Sequence, residues 1–202
     1  MNKKELIESL KNKGFDKKIL NAFNMVRRED FIPGEFKECS YEDNALLIGK
    51  GQTISQPYTI AFMLNLLELK DKQKILEVGS GSGYVLALIN KISKNSEIYG
   101  IERIKELSQE SKSNFKKDNV KIIHGNALEL IKGLGKFDRI LVSASADKFP
   151  ITLIDQLKDN GFLVIPIKNS IFQIRKTEKG ILKKEFPGFV FVPLIENVAV
   201  EL

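Results

Sequence analysis

Ile75-Leu76-Glu77-Val78-Gly79-Ser80-Gly81-Ser82-Gly83-Tyr84 runs from a short apolar segment through three alternating glycines into a helical pattern. The apolar segment reads as a buried strand. Glycines where a strand turns into a helix let the backbone approach a ligand closely, with free N–H groups at the helix N-terminus. Many nucleotide-binding folds use such a turn, so the spacing must discriminate among them. A dinucleotide fingerprint counted from Gly79 needs its third glycine where Tyr84 stands, and counted from Gly81 it needs one at Leu86. No Gly-Lys-Ser/Thr follows, which excludes a phosphate-cradling P-loop.

Downstream the chain alternates regularly. Strands are predicted at Lys74–Val78, Glu97–Ile101, Val120–Ile123, Asp138–Ser143 and Gly161–Ile167. Helices fall between them at Tyr84–Ile92, Ile104–Lys116, near Leu128–Lys132, and at Pro150–Leu157. Strands rich in Val, Ile and Leu that alternate with helices predict an α/β fold with a doubly wound, mostly parallel sheet. Phe172–Lys176, Ile181–Phe186 and Phe189–Leu194 have no long helices between them and are expected to add antiparallel strands. Upstream, Leu6, Ile7 and Leu10 share one helical face before Gly14, and Asp16 caps a second helix with Ile19, Leu20 and Phe23 facing inward. Residues 34–56 look irregular and, being of ordinary complexity, functional. Pro57 then opens a further helix. We expect one domain over residues 1–202, with N-terminal helices and a binding loop (1–56), a cofactor-binding core (57–167) and C-terminal strands (168–202).

Composition narrows the chemistry. With one cysteine, Cys39, and one histidine, His124, neither an internal disulfide nor a usual zinc cluster can be built, and no metal is expected. No apolar run approaches the ~20 residues that span a bilayer, and no secretory leader is visible, so a cytoplasmic protein is expected. The net charge of +6 admits a polyanionic partner, but the lysines are scattered and interleaved with acids, as on a solvated surface.

An acid two residues before Gly-x-Gly-x-Gly resembles motif I of the S-adenosylmethionine methyltransferases, whose ligand has no pyrophosphate. Glu102 ends the next strand 19 residues beyond Gly83, where a carboxylate reaches the two ribose hydroxyls; the plainer role is a first-turn acid favoured by the helix dipole. Upstream stand Tyr41-Glu42-Asp43-Asn44-Ala45-Leu46-Leu47-Ile48 and Gly49-Lys50-Gly51-Gln52-Thr53-Ile54-Ser55-Gln56-Pro57-Tyr58. Together they resemble the protein-L-isoaspartate O-methyltransferases. The likeness continues through Val26–Pro33, Glu102-Arg103-Ile104, Phe137–Ile140 and Leu157–Pro166 to Phe191-Val192-Pro193-Leu194.

The resemblance implies a Rossmann-like methyltransferase that moves a methyl group from S-adenosylmethionine to the free carboxylate of L-isoaspartyl residues in damaged proteins and peptides. It makes Ser55 the catalytic residue; the plainer role of Ser55 is an N-cap for the Pro57 helix. Cofactor contacts are expected from Ile54, Gln56, Glu77, Gly79, Ser80, Gly81, Gly83, Glu102, Arg103, Gly125 and Asn126. Substrate contacts are expected from Thr53, Ser55, Phe191, Val192, Pro193 and Leu194. The family's usual His-Gly-Asp-Gly reads His124-Gly125-Asn126-Ala127 here, so an asparagine carbonyl replaces the acid aimed at the adenine amino group. A carboxylate is already deprotonated at neutral pH, so this transfer needs no general base, in keeping with the single histidine. A nucleic-acid methyltransferase is the rival reading, but Ser143-Ala144-Ser145-Ala146 lacks the Pro-Pro-aromatic motif of base-amino methylases. A non-catalytic cofactor-binding homologue is the other. The expected state is a monomer that acts on isoaspartyl proteins rather than on nucleic acid or membranes.

Overall fold

A computed structural model describes residues 1–115 and 119–194. Helix α1 (Lys3–Asn12) opens with a capping box in which Asn2 and Glu5 each accept from the other's backbone N–H, and α2 (Lys17–Met25) with Asp16 accepting from the Ile19 N–H at 2.9 Å. Two 3₁₀ turns, Arg28–Phe31 and Gly34–Cys39, lead to a small hairpin of β1 (Leu46–Gly49) and β2 (Gln52–Ile54), and then to α3 (Pro57–Leu67). The core follows as β3 (Lys74–Val78), α4 (Tyr84–Ile92), β4 (Glu97–Glu102), α5 (Lys105–Ser113), β5 (Val120–His124), α6 (Ala127–Leu130), β6 (Phe137–Val142), α7 (Ile151–Asp155) and β7 (Leu157–Ile167). Two further strands, β8 (Ser170–Thr177) and β9 (Gly180–Pro187), complete the sheet.

The seven strands lie in the order β5-β4-β3-β6-β7-β8-β9. The first five are parallel, and β8 and β9 join antiparallel. Side chains along each strand alternate between two cores. Ile75, Leu141 and Val164 point to the face covered by α1 to α5, whereas Leu76, Ile140 and Leu163 point to the face covered by α6 and α7. The chain winds outward from β3 to β5 and then returns to place β6 on the other side of β3. The crevice of such a sheet opens at the carboxyl ends of these strands, which here means Glu77–Gly79 and Ser143.

The doubly wound sheet and its antiparallel end match the sequence expectation, with four local corrections. Residues 34–56 are not wholly irregular: they contain the β1–β2 hairpin, whose strands are too short for periodicity to reveal and whose turn needs positive φ at Gly49, Lys50 and Gly51. Phe189–Leu194 is no third antiparallel strand. The chain leaves the sheet after Pro187, Gly188 bonds back to the Asn169 carbonyl, and only an isolated bridge links Pro193 to Ser145, because proline lacks the N–H a ladder needs. Helix α7 stops at Asp155, and β7 starts at Leu157 opposite Phe137, passing an irregularity in register before Phe162 meets Arg139. Helix α5 ends at Ser113; the expected end at Lys116 lies outside the described residues.

Candidate active site

The glycine turn is held by backbone geometry that side chains rarely adopt, with φ of +77° at Gly79, +51° at Gly81 and +88° at Gly83. Gly79 and Ser80 donate to the Ile101 carbonyl, and Gly83 donates to that of Ser80. The Glu102 side chain then crosses between strand ends. Its Oε2 accepts the Gly81 N–H at 2.9 Å and its Oε1 the Ile104 N–H at 2.9 Å. Each carboxylate oxygen keeps a second lone pair for a hydroxyl donor.

A second carboxylate, Glu77, is 1% exposed at the end of β3. The Ser143 hydroxyl donates to its Oε1 at 2.7 Å, while its Oε2 has no partner among the described residues. Burial pushes the Glu77 carboxyl up to about 8, the Ser143 hydrogen bond opposes that rise, and the nearby Glu102 charge adds to it.

Ser55 sits between the end of β2 and α3. The cap residue of α3 is Gln56, which makes no side-chain cap bond; instead Asp43, fifteen residues before Tyr58, accepts the Tyr58 N–H at 2.7 Å. Asp43 therefore does the work assigned to an N-capping Ser55, and the half-buried Ser55 hydroxyl has no hydrogen bond among the described residues. The Ser55 carbonyl accepts Nη2 of the fully buried Arg28 at 3.0 Å, and the same nitrogen lies 3.3 Å from the Asn44 carbonyl. The Arg28 guanidinium stands 5.2 Å from the centre of the Tyr84 ring, and burial lowers its affinity for its proton. It thus ties the N-terminal segment and the Ser55 loop to the first helix of the core.

Three adjoining cavities follow. Gly125, Asn126, Glu102, Arg103, Gly79 and Gly81 line the first, and Val192, Pro193 and Leu194 close its far wall. The second holds Glu77, Ser80, Ile54 and Ser55, and shares Gly79, Gly81, Ser143 and Thr53 with the first. The third, bounded by Ala45, Gln56, Thr59, Val190, Phe191 and Val192, shares Thr53 and Ser55 with the second. Thr53 lines all three, and Ser55 stands where the second meets the third.

Most of the expected site residues therefore converge, but some fall elsewhere. Gln56 faces the third cavity rather than the first two. Gly83 lines none of the three; a Cβ there would stand 2.5 Å from Ser111 Oγ, so this glycine lets α4 pack on α5. Pro193 and Leu194 line the first cavity, beside Gly125 and Asn126. Asn126 caps α6 through its Oδ1 and the Leu128 N–H. Sequence reasoning missed Arg28, Asp43, Ser143 and Ile48 as parts of the site. Ile48 lies across the glycine turn, where a Cβ on Gly81 would come within 3.1 Å of its Cδ1. A charged residue inside the Val26–Pro33 segment was the available signal for Arg28.

A carboxylate two residues before the glycine turn, a second at the end of the next strand, and a cleft across their carboxyl ends define a Rossmann-like methyltransferase. The chain belongs to the protein-L-isoaspartate(D-aspartate) O-methyltransferase family, whose model matches residues 1–199. Among relatives, the protein-L-isoaspartate O-methyltransferase of Petrotoga mobilis is 45% identical over 196 residues, covering 92% of this chain and 91% of its own. That of Dictyoglomus turgidum is 42% identical over 200 residues, covering 95% of this chain and 90% of its own. A crystal structure of a Plasmodium falciparum protein assigned to the same activity, in complex with S-adenosyl-L-homocysteine, superposes with a TM-score of 0.85 at 37% identity, covering 98% of this chain and all of that one.

Two expected outcomes follow from this geometry. Glu102→Ala removes the acceptor for two backbone N–H groups as well as the carboxylate expected to meet the ribose. It should weaken binding of S-adenosylhomocysteine by at least ~1.5–3 kcal/mol, on the order of 10- to 100-fold in Kd, by calorimetric titration; an unchanged Kd would return Glu102 to the helix-dipole role. Arg28 Nε and Nη1 have no partner among the described residues, so a methionine of similar length relieves a buried charge. Arg28→Met should leave Tm within a few degrees of wild type while kcat/KM falls by about tenfold or more. Full activity would show that Arg28 does not position Ser55.

Proposed function

We propose that the chain transfers the methyl group of S-adenosylmethionine to the free carboxylate of L-isoaspartyl residues, with Ser55 holding that carboxylate. The observation that carries the reading is the Ser55 hydroxyl, without a hydrogen bond among the described residues and placed between the second and third cavities. The described residues suit the cofactor. Glycines with positive φ let backbone approach it, Glu102 offers lone pairs to a ribose, and Oε2 of Glu77, without a partner among the described residues, suits the positive end. When bound, S-adenosylmethionine supplies an electrophilic methyl group on a sulfonium.

The protein's part is positional. An oxygen of the isoaspartyl carboxylate forms the new O–CH₃ bond as the S–CH₃ bond breaks, and the electron pair of that bond stays on sulfur. No proton moves, so no base is needed. His124 makes its Nε2 contact with the Arg103 carbonyl, outside the three cavities. Holding the reacting atoms in line can account for ~7–11 kcal/mol of the barrier. A neutral hydroxyl suits Ser55, because a cation there would stabilise the charged carboxylate more than a transition state in which that charge is being lost. The polypeptide would enter through the third cavity, between Thr59 and Phe191, with its backbone running through the isoaspartyl side chain. The resulting ester is open to attack by the following backbone nitrogen, which expels methanol and closes a succinimide.

An isoaspartyl peptide should accept labelled methyl groups, and the same peptide with a normal L-aspartyl linkage should not. Equal kcat/KM for both would defeat the substrate assignment while leaving methyl transfer intact. Because Asp43 rather than Ser55 caps α3, Ser55→Ala should change Tm little and leave cofactor affinity in place, while kcat/KM for the isoaspartyl peptide drops by about tenfold or more. An active Ser55→Ala enzyme would remove Ser55 from the mechanism.

A further inference from the structure

The cleft holds two buried carboxylates with opposite surroundings. Glu102 accepts two backbone N–H groups and has what an ionised carboxylate needs in a place of low dielectric. Glu77 has a single hydroxyl on Oε1 and, among the described residues, no partner on Oε2. Among the described residues, the groups around it supply no positive charge. From β4 it meets Glu102, of its own sign, and from the end of β6 the Ser143 hydroxyl. From α4 the second cavity is bounded by Tyr84, whose ring lies against Arg28, and Arg28 directs its Nη2 to the Ser55 and Asn44 carbonyls. A buried ion without a partner is costly enough that the group takes up a proton instead.

We propose that Glu77 distinguishes the sulfonium cofactor from its thioether product, losing its proton to solvent when the cation binds and regaining one when the cation is consumed. The proposal rests on the methyltransferase reading above and extends it to the order of events in turnover. Cofactor and product share an adenosine and an amino-acid end; they differ by one methyl group and one positive charge. Transfer cancels that charge against the substrate carboxylate, giving a neutral thioether and a neutral ester. An ionised Glu77 would then have lost the sulfonium charge that compensated it, and uptake of one proton from water restores the neutral acid. The proton released on binding and the proton regained balance over a cycle.

The sign of the pH dependence follows from linkage. Free protein carries Glu77 protonated below about 8, so binding of the cation at neutral pH must expel a proton and tightens as pH rises toward that value. The product has the same amino-acid end but no sulfonium charge, so it gains less from the rise. The ratio of Kd for S-adenosylhomocysteine to Kd for S-adenosylmethionine should therefore grow on the order of tenfold or more between pH 6 and pH 8.

Calorimetric titration of the apo protein at pH 7, in buffers of different ionisation enthalpy, counts the protons exchanged. S-adenosylmethionine should release close to one proton more than S-adenosylhomocysteine, and Glu77→Gln should abolish the difference and flatten the affinity ratio with pH. Ser143→Ala, which removes the donor on Oε1, should keep the difference and move its pH window upward. Equal proton counts for the two ligands in wild type, or a difference that survives in Glu77→Gln, would overturn the proposal even if isoaspartyl methylation is intact. Failure of either ligand to bind wild-type protein would instead defeat the methyltransferase reading.

Discussion

The Glu102 carboxylate, shared between the N–H groups of Gly81 and Ile104, is the constraint on which the cleft depends. It joins the turn after β3, where the backbone holds positive φ at Gly79, Gly81 and Gly83, to the turn after β4, where the chain leaves the sheet for α5. Charge-assisted hydrogen bonds from backbone donors are about twice as strong as neutral ones, and the Glu102 acceptor of these two is buried. With the turn fixed, Ile48 can lie directly over Gly81, and the small hairpin closes the cleft from above.

A buried cation, beside the apolar packing of Phe23 and Phe31 on Tyr84, couples the N-terminal third of the chain to the floor of that cleft. Arg28 reaches from a 3₁₀ turn to the carbonyls of Ser55 and Asn44 and rests on Tyr84, the first residue of the helix that the glycine turn opens. Asp43 separately caps α3, which begins two residues after Ser55. The segment between them is thus pinned at both ends by side chains distant in sequence. With α3 capped by Asp43, the Ser55 hydroxyl has no capping duty among the described residues, which suits the neutral donor role proposed for it.

How much of this was legible beforehand depends on the range of the interaction that decides each element. The central strands Lys74–Val78 and Glu97–Glu102 and the turn between them were readable, because buried parallel strands are written as continuous apolar runs and glycine spacing is local. Ser55, Glu77 and Glu102 were also visible, through motif and distance along the chain. The β1–β2 hairpin was not, since strands of four and three residues show no period and owe their place to Ile48 packing on Gly81. Phe189–Leu194 carried strand-like residues, yet Gly188 and Pro193 break the ladder, and the segment is instead held by Ser145 through the Val192 carbonyl and the Leu194 N–H. The roles of Arg28, Asp43 and Ser143 could not be read locally either, because each is defined by a partner at least fifteen residues away.

The proposed reading combines a cleft shaped by Glu102, a sulfonium facing Glu77, and a substrate carboxylate held by the Ser55 hydroxyl. Its central claim is the placement of the acceptor carboxylate, and a crystal structure of the protein with S-adenosylhomocysteine and an isoaspartyl peptide measures that placement directly. The account predicts the thioether sulfur in the second cavity beside Glu77, and an isoaspartyl oxygen within hydrogen-bonding distance of the Ser55 hydroxyl and in line with that sulfur. A peptide carboxylate bound away from Ser55, or a sulfur remote from Glu77, would contradict it.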